Sequence, residues 1–320
     1  MTIPDYKNAA VVYLPAVAGG RLSDTGLRRW LARSELVKAS EPEEILRKTL
    51  GLLNLPCPEG GLGALRMWGQ TGDRPTVWIA AADPVYLEPR LDHLCLHALT
   101  DSVPANDLRP LMDHLQQELA GESDYGFARV GTFGYLRAEE PIATAAVPPH
   151  VVHLQMPNEY LPDGPKVDAH RSLTSEVEMA LHDHEVNSRR QEQGLQPVNS
   201  LWFWGGGYAP EQHTEPRPPL FGDDPLLRGH WLSRTAVAEP WPGSIGACLE
   251  ASIAGFVAVV PEADDANILQ RCLSELREAL HSGRLLKLHL VFRDGIEATV
   301  EAGHRWRFWR LGSKLLDTAT

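Results

Sequence analysis

Residues 175–207 read SEVEMALHDHEVNSRRQEQGLQPVNSLWFWGGG and contain the clearest structural signals in the chain. The first part has apolar residues at the 3–4 spacing of an amphipathic helix, and Gly194 stands where such a helix would end. The aromatic run over residues 201–204 predicts a buried strand, and three glycines follow it. A helix that leads into a buried strand is typical of layered α/β domains.

Strand and helix signals alternate on both sides of this segment. Hydrophobic runs over residues 9–18 and 253–260 predict buried strands, and apolar residues at helical spacing predict helices over 106–119 and 263–281. Asp294-Gly295 between two apolar runs predicts a β-hairpin. We therefore expect an α/β fold with a layered mixed sheet and flanking helices.

A proline-rich run over residues 141–150 is the best candidate for a domain boundary, because its prolines interrupt regular structure. The sequence predicts an N-terminal α/β portion over residues 1–140 and a C-terminal α/β portion over residues 151–320, which carries the segment 175–207. Packing of both portions as one domain is the alternative.

Composition excludes several classes of protein. The 320 residues include 30 Lys and Arg against 42 Asp and Glu, a net charge of −12, which disfavours nucleic acid as a partner. No apolar run approaches the roughly 20 residues that span a bilayer, and the first residues do not resemble a signal peptide. We expect a cytoplasmic protein without a membrane partner. Its four cysteines form no Cys-x-x-Cys pair, which argues against a cysteine-based zinc site or a disulfide framework.

A polar stripe follows the predicted helix at 3–4 spacing. It consists of Glu176, Met179, Asp183, Asn187 and Arg190. One interpretation is the wall of an anion site, with a carboxylate, an amide and a guanidinium on one face. The other is a solvated helix face with pairs between its own side chains.

The sequence His182-Asp183-His184 resembles a metal motif. Residues two apart on a helix point about 200° from each other, so the two histidines would not bind one ion. The sequence therefore predicts no metal ligands here.

The glycines Gly205, Gly206 and Gly207 have two interpretations, a phosphate-binding loop or a structural turn beside the tryptophans. A phosphate loop of the P-loop type needs a following Lys and a helix, whereas Tyr-Ala-Pro follows here. Asn199 suits a buried turn or a ligand contact. Asp83, before a proline, suits a turn better than a site. The predicted ligand-binding residues are Asp183, Asn187, Arg190, Asn199, Gly205, Gly206 and Gly207, with Glu176, His182, His184 and Asp83 as secondary candidates.

The pattern HDHxVNxxRxxxGxxPVNSxWxWGGG over residues 182–207 resembles the signature of bacterial regulatory proteins of the RpfE type (regulation of pathogenicity factors). The segment ADPVYL over 82–87 and the segment WRFWR over 306–310 resemble further parts of that family. This resemblance implies a regulatory protein. The basic and aromatic run over 305–310 is interpreted first as an aromatic anchor for the chain end, then as a partner-binding patch or a nucleic-acid contact.

Residues 187–207 also resemble the archaeal-type cofactor-independent phosphoglycerate mutases. That resemblance implies an alkaline-phosphatase-like α/β scaffold, two divalent metals and a serine nucleophile. In those enzymes the first strand ends in an Asp-Gly metal motif, whereas here no aspartate follows that strand before Asp24. The departure favours a degenerate scaffold without two-metal chemistry.

The sequence therefore predicts a non-catalytic regulatory or small-anion-binding protein on a phosphomutase-like scaffold, without a cofactor. Its expected partner is an anionic small metabolite or a protein. The first alternative is a metal-dependent phosphoryl-transfer enzyme of the phosphoglycerate mutase type, with ligands dispersed among Asp24, Asp83, His93, His182 and His184. The second alternative is a protein-interaction module that uses a tryptophan-rich surface.

Overall fold

The computed structural model describes residues 8–120, 124–252, 254–262, 267–307, 309–310 and 312–317. The predicted starts of one strand at Ile253 and one helix at Ala263 lie outside these residues. In the described part the strands are β1 Ala9–Leu14, β2 Glu35–Lys38, β3 Trp78–Pro89, β4 Leu94–Ala98, β5 Tyr125–Val130, β6 Phe133–Ala138, β7 Ser200–Gly207, β8 Leu220–Phe221, β9 Ala238–Glu239, β10 Gly255–Val259, β11 Lys287–Phe292 and β12 Ile296–Glu301.

The helices in the same residues are α1 Thr25–Ala32, α2 Ile45–Leu52, α3 Leu62–Thr71, α4 Ala105–Leu119, α5 Val167–Leu181, α6 Glu185–Glu192, α7 Pro225–Ser233, α8 Ile245–Ala251, α9 Ile268–His281 and α10 Lys314–Asp317. Two 3₁₀ helices cover Pro157–Glu159 and Ala302–Trp306. Each described helix is too short or too polar to span a bilayer.

The chain divides into two compact units, the first formed by residues 1–57 with 212–320 and the second by residues 58–211. The predicted boundary at 141–150 lies inside the second unit. There, Ile142 and Ala145 are buried, and the backbone of Ala145 exchanges hydrogen bonds with Phe203 and Gly205 of β7. The proline-rich run therefore packs along a strand instead of linking domains.

The first unit contains a mixed seven-stranded sheet in the order β2-β12-β11-β1-β10-β8-β9. Strand β1 is parallel to β10 and β11, whereas β12 returns antiparallel to β11 through the predicted turn at Gly295, which has φ +76°. Ala10, Val12 and Leu14 of β1 join the core shared with α1, α8 and α9. On the opposite face, the Tyr13 hydroxyl donates to the Ile45 carbonyl of α2. The prediction of a layered mixed sheet with flanking helices is confirmed.

The second unit contains a five-stranded antiparallel sheet in the order β4-β3-β6-β5, with β7 on the other side of β3. The twelve-residue strand β3 pairs with β6 through its first half and with β4 through its second half. Helices α4 and α5 pack over one face, where Leu111, Leu173 and Phe203 are buried together. The predicted aromatic strand is β7, and its residues 201–204 are all buried.

The single helix predicted after Ser175 is wrong, because the chain forms α5 and α6 with a break between them. His184 adopts an extended backbone, and its Nδ1 accepts the Val186 N–H at 3.2 Å as a cap of α6. The predicted end is confirmed: Gly194 has φ +74°, and the N–H of the next residue bonds the Arg190 carbonyl in a Schellman arrangement.

Candidate functional site

The predicted polar wall is not assembled. The Asp183 side chain is 98% exposed and the His182 side chain 82% exposed, whereas Asn187 and Arg190 are buried. Glu176 contacts Ser172 of its own helix. The break after α5 interrupts the helical periodicity, so the 3–4 spacing no longer places these side chains on one face.

Asn187 connects the end of α5 to the start of β7. Its Nδ2 donates to the carbonyls of Leu181 and Val198 at 2.9 and 2.8 Å, and its Oδ1 accepts the Val198 N–H at 2.8 Å. Both amide hydrogens are therefore bonded within the chain. This residue holds the helix break in place.

Arg190 is 1% exposed and bonded on two sides. Its Nε donates to the Gln196 carbonyl at 2.9 Å, and its Nη1 lies 3.1 Å from an oxygen of Asp107 in α4. The guanidinium thus fixes the connection between α6 and β7 to a neighbouring helix. A buried arginine with these partners stabilises the fold.

Asn199 binds the backbone of β3 at Leu87. Its Oδ1 accepts the Leu87 N–H at 2.8 Å and its Nδ2 donates to the Leu87 carbonyl at 2.9 Å. This pair extends the ladder between β3 and β7, which explains why an amide stands at this position.

The three glycines are the last residues of β7 and lie against other parts of the chain. A Cβ at Gly206 would overlap the Trp78 ring, and a Cβ at Gly207 would overlap the backbone of Gly61. The Gly206 N–H donates to Thr144 Oγ1. Close packing therefore explains these glycines, as the structural interpretation expects.

Asp83 lies within β3 and forms a buried ion pair, so the prediction of a turn there is wrong. Arg66 Nη1 lies 2.8 Å from both carboxylate oxygens, and Trp204 Nε1 donates to Asp83 Oδ2 at 2.7 Å. The guanidinium also lies 4.8 Å from the ring centroids of Phe133 and Tyr135. This cluster is enclosed and electrically paired.

The anchor predicted over residues 305–310 is also wrong for its tryptophans, because Trp306 and Trp309 are 60% and 72% exposed. Phe308 lies outside the described residues. Arg310 of this run donates to the Ser34 carbonyl at 2.8 Å, and Leu316 further along the chain is buried in the core of the first unit.

The first unit contains a basic cleft of about 500 Å³. It lies between α1, α9 and the 3₁₀ helix Ala302–Trp306. It is lined by Gly26, Arg29, Trp30, Arg33, Arg277, His281 and Arg305.

Helix geometry places these basic side chains together. Helix α1 starts at Asp24, whose Oδ1 accepts the Leu27 N–H at 2.7 Å. Arg29 and Arg33 are four residues apart, as are Arg277 and His281 on α9, so each pair lies on one helix face. No single stretch of the sequence indicates this site, because its basic residues come from three distant segments.

The basic cleft lacks the internal pairing of the second unit. In the described chain Arg29, Arg277 and His281 have no carboxylate within ion-pair distance, and the Arg33 Nε is buried without a hydrogen-bond partner. A neighbouring depression of about 350 Å³ shares Arg277 and His281 and is bordered by Asp24 and Glu278. In a chain of net charge −12, the cleft is a local concentration of positive charge.

Acidic side chains at the carboxyl edge of the parallel strands accept hydrogen bonds from backbone N–H groups of the chain. Asp224 caps α7, and Asp294 accepts the N–H groups of Val17 and Ala18 at 2.8 Å. Glu44 caps α2 and is buried, and burial raises the pKa of its carboxyl to about 7. These carboxylates hold loops and helix ends in place.

The metal ligands proposed from the sequence have partners within the chain. Asp24 caps α1 in the first unit, and Asp83 is paired with Arg66 in the second. His93 contacts the neighbouring Asp92, and His184 caps α6.

Among the residues that the structure describes, one group of potential metal ligands does come together: Glu88, Cys95 and His97. A two-metal centre needs two adjacent ligand sets, so the described residues fit a single ion and not the pair that the mutase resemblance implies. Cys95 and His97, two apart on a strand, were the available sequence signal, because such residues share a face.

Comparison with known proteins indicates distant kinship with one group of enzymes. No protein-family model matches the chain. Over 111 residues, 34% of this chain, it is 32% identical to the 2,3-bisphosphoglycerate-independent phosphoglycerate mutase of Methanosarcina barkeri, covering 28% of that protein. Over 162 residues, 49% of this chain, it is 31% identical to the probable 2,3-bisphosphoglycerate-independent phosphoglycerate mutase of Geobacter sulfurreducens, covering 35% of it. The chain thus matches about a third of the length of these curated relatives.

Two solved structures resemble the chain over most of its length. The cofactor-independent phosphoglycerate mutase from Thermoplasma acidophilum gives a TM-score of 0.40 at 16% identity, over 92% of this chain and 89% of that one. The PH0037 protein from Pyrococcus horikoshii gives a TM-score of 0.48 at 11% identity, over 97% of this chain and 92% of that one.

The chain is a distant homologue of 2,3-bisphosphoglycerate-independent phosphoglycerate mutases over part of its length. The prediction of a non-catalytic regulatory protein is wrong, because the sequence relatives are named as enzymes. They favour the alternative that the sequence analysis placed second, an enzyme of the phosphoglycerate mutase type.

Proposed function

We propose that the chain is a phosphoryl-transfer enzyme of the phosphoglycerate mutase type and that the basic cleft binds its substrate, a small phosphorylated carboxylic acid. The observation that carries this proposal is the 31% identity over 162 residues to a protein named as such a mutase. The relationship to RpfE-type proteins inferred from residues 182–207 stays a prediction.

The chemistry of the basic cleft supports the substrate class. A phosphorylated carboxylic acid carries two anionic groups, and a guanidinium can bind each of them through two parallel hydrogen bonds. Arg29 and Arg277 come from different helices and can therefore hold opposite ends of such a molecule. The volume of about 500 Å³ is within the range of small-molecule sites.

The role of the cleft residues is to bind and orient the anion. Trp30 is buried and lines the cleft, where its ring adds an apolar surface that strengthens the electrostatic attraction by limiting water. Arg33 also lines the cleft, and its Nη1 donates to the Arg305 carbonyl at 3.4 Å, which holds another lining residue in position. The described residues do not form the two ligand sets that a pair of metal ions needs, so we assign no step of the phosphoryl transfer to such a pair.

The proposal is tested by turnover of the full chain with 3-phosphoglycerate, followed by phosphorus NMR with Mn²⁺, Mg²⁺, Co²⁺ or Zn²⁺ added in turn. We expect conversion to 2-phosphoglycerate or release of phosphate with at least one ion. Arg277→Ala should raise KM about tenfold or more, because one bonded guanidinium is lost. Arg271→Ala is the matched control, since it removes an exposed arginine of the same helix that does not line the cleft.

Two results would count against the proposal. If no ion supports turnover, the proposed phosphoryl-transfer activity is wrong. Turnover with an unchanged KM in both Arg277→Ala and Arg29→Ala would remove the basic cleft as the substrate site.

A further inference from the structure

Glu88, Cys95 and His97 lie on one face of the sheet of the second unit. Strands β3 and β4 are antiparallel, with Glu88 opposite Cys95 and Tyr86 opposite His97. Opposite residues share a face, and so do residues two apart on one strand. The ligand atoms of the three side chains all lie within 4.8 Å of one another.

The imidazole of His97 is held from both sides. Its Nε2 lies 2.8 Å from Glu88 Oε2, and its Nδ1 lies 3.0 Å from the side-chain amide of Gln196. Nε2 therefore faces the other two potential ligands. Metal-bound histidines usually have such a partner on the second nitrogen, which fixes the ring.

Two residues of the segment 175–207 hold the neighbours of this group in place. Arg190 bonds the Gln196 carbonyl, and Asn199 binds the backbone of Leu87, the residue before Glu88. The side chains that the sequence analysis assigned to a ligand wall thus hold the residues around His97 and Glu88.

We propose that Glu88, Cys95 and His97 form a site for one transition-metal ion, with zinc as the best match and water in the fourth position. A thiolate, an imidazole and a carboxylate suit zinc or cobalt, whereas magnesium and calcium prefer oxygen ligands. Bond lengths of about 2.0–2.3 Å place tetrahedral ligand atoms roughly 3.3–3.8 Å apart. The ligand atoms of the present group lie within 4.8 Å of one another, so small adjustments of the side chains would bring them to that spacing.

Burial and charge fit this site. Cys95 is buried, while the side chains of His97 and Glu88 are 12% and 29% exposed, so an ion enters from the Glu88 side. Arg90 lies 2.7 Å from the same Glu88 oxygen and is itself half exposed. Its guanidinium can turn to solvent when the ion binds. His153 lies beside His97, with ring centroids 5.9 Å apart.

The proton balance of binding is defined. Cys95 loses its thiol proton to become a thiolate. The proton on His97 Nε2 moves to Nδ1, where the rotated amide of Gln196 accepts it through its oxygen. Binding of each ion therefore releases one proton to solvent.

The test uses the full chain freed of metal with a chelator and then titrated with Co²⁺. We expect one equivalent to bind, with thiolate-to-cobalt charge-transfer absorption in the near ultraviolet, and one equivalent of Zn²⁺ to displace it. A weakly buffered solution should show release of about one proton for each ion.

Variants assign the ligands. Cys95→Ser should abolish the charge-transfer absorption, and His97→Gln should weaken cobalt binding at least a hundredfold. Cys57→Ser and His93→Ala remove an exposed thiol and a partly exposed imidazole outside the group and should change neither. Gln196→Ala should weaken binding about tenfold, as loss of a supporting partner does.

Circular dichroism of each metal-free variant shows whether it folds, and Glu88→Gln changes a third ligand at a partly exposed position. The melting temperature of the unmodified chain should rise with zinc, and that of Glu88→Gln should rise less. Absence of charge-transfer absorption, or its survival in folded Cys95→Ser, would overturn the site. None of these readouts depends on turnover, so the site can fail or hold independently of the proposed activity.

Discussion

Arg190 in the second unit and Arg277 in the first are both helical arginines, but their surroundings differ. Arg190 is buried and bonds the Gln196 carbonyl and the Asp107 carboxylate. Arg277 lines the basic cleft, and in the described chain no carboxylate lies within ion-pair distance of it. A guanidinium paired by its own chain stabilises the fold, whereas an unpaired one in a cleft is available to an anion. Spacing along the sequence does not separate the two cases.

The largest effect should come from the buried pair of the second unit. Asp83→Leu leaves Arg66 charged, buried and unpaired and removes the acceptor of Trp204 Nε1. We expect the free energy of unfolding to fall by about 3–5 kcal/mol, measured by urea denaturation. Asp113→Ala, which removes one side of an exposed pair in the same unit, should change it by less than about 0.5 kcal/mol. Similar losses in both variants would show that Asp83 is not paired as described.

The next effect tests the structural role of Arg190. Arg190→Ala removes the donor to the Gln196 carbonyl and the buried partner of Asp107, and it should lower the free energy of unfolding by about 3 kcal/mol. The neighbouring Arg189 also contacts Asp107, at 2.7 Å, but its side chain is half exposed. Arg189→Ala should therefore cost less than about 1 kcal/mol. If the two variants lose equal stability, burial of Arg190 is not what gives it its role.

The sequence predicted the elements whose signals are local. The hairpin at Asp294-Gly295, the aromatic strand at residues 201–204 and the helix end at Gly194 need only neighbouring residues, and all three are confirmed. It failed where a distant partner decides the structure. The break before His184 depends on Asn187 bonding Val198, and the ion pair of Asp83 depends on Arg66.

The candidate sites were missed for a related reason. The basic cleft joins residues from three distant segments, and each segment alone is typical of a solvated helix face. Conversely, Asp183, Asn187 and Arg190 have regular spacing, but spacing does not show which side chains are buried. Burial reverses the interpretation of a polar residue from ligand contact to structural bond.

Glu44 gives an intermediate effect that depends on pH. Burial raises the pKa of this carboxyl to about 7, so between its ordinary value and 7 the folded chain keeps a proton that the unfolded chain has lost. The free energy of unfolding should therefore fall as the pH rises through this window and stay lower above it. Glu44→Gln keeps the uncharged state and should reduce that fall by roughly 2 kcal/mol.

The measurement is urea denaturation at intervals from pH 4.5 to 8. Glu43→Gln, at an exposed neighbouring position, is the control and should follow the unmodified chain. A Glu44→Gln profile with the same slope would show that this carboxyl is ionised throughout the window.

The smallest effect on stability should come from the basic cleft, and it completes the comparison with Arg190. Arg277→Ala removes no internal pair among the described residues, so the free energy of unfolding should change by less than about 0.5 kcal/mol. Removing one of several like charges can even stabilise the unliganded chain, because the remaining guanidinium groups repel one another less.

The same variant should bind 3-phosphoglycerate at least tenfold more weakly by calorimetry, whereas Asp113→Ala should bind it normally. A loss of stability comparable to that of Arg190→Ala would mean that Arg277 serves the fold, and the distinction between the two arginines would then fail.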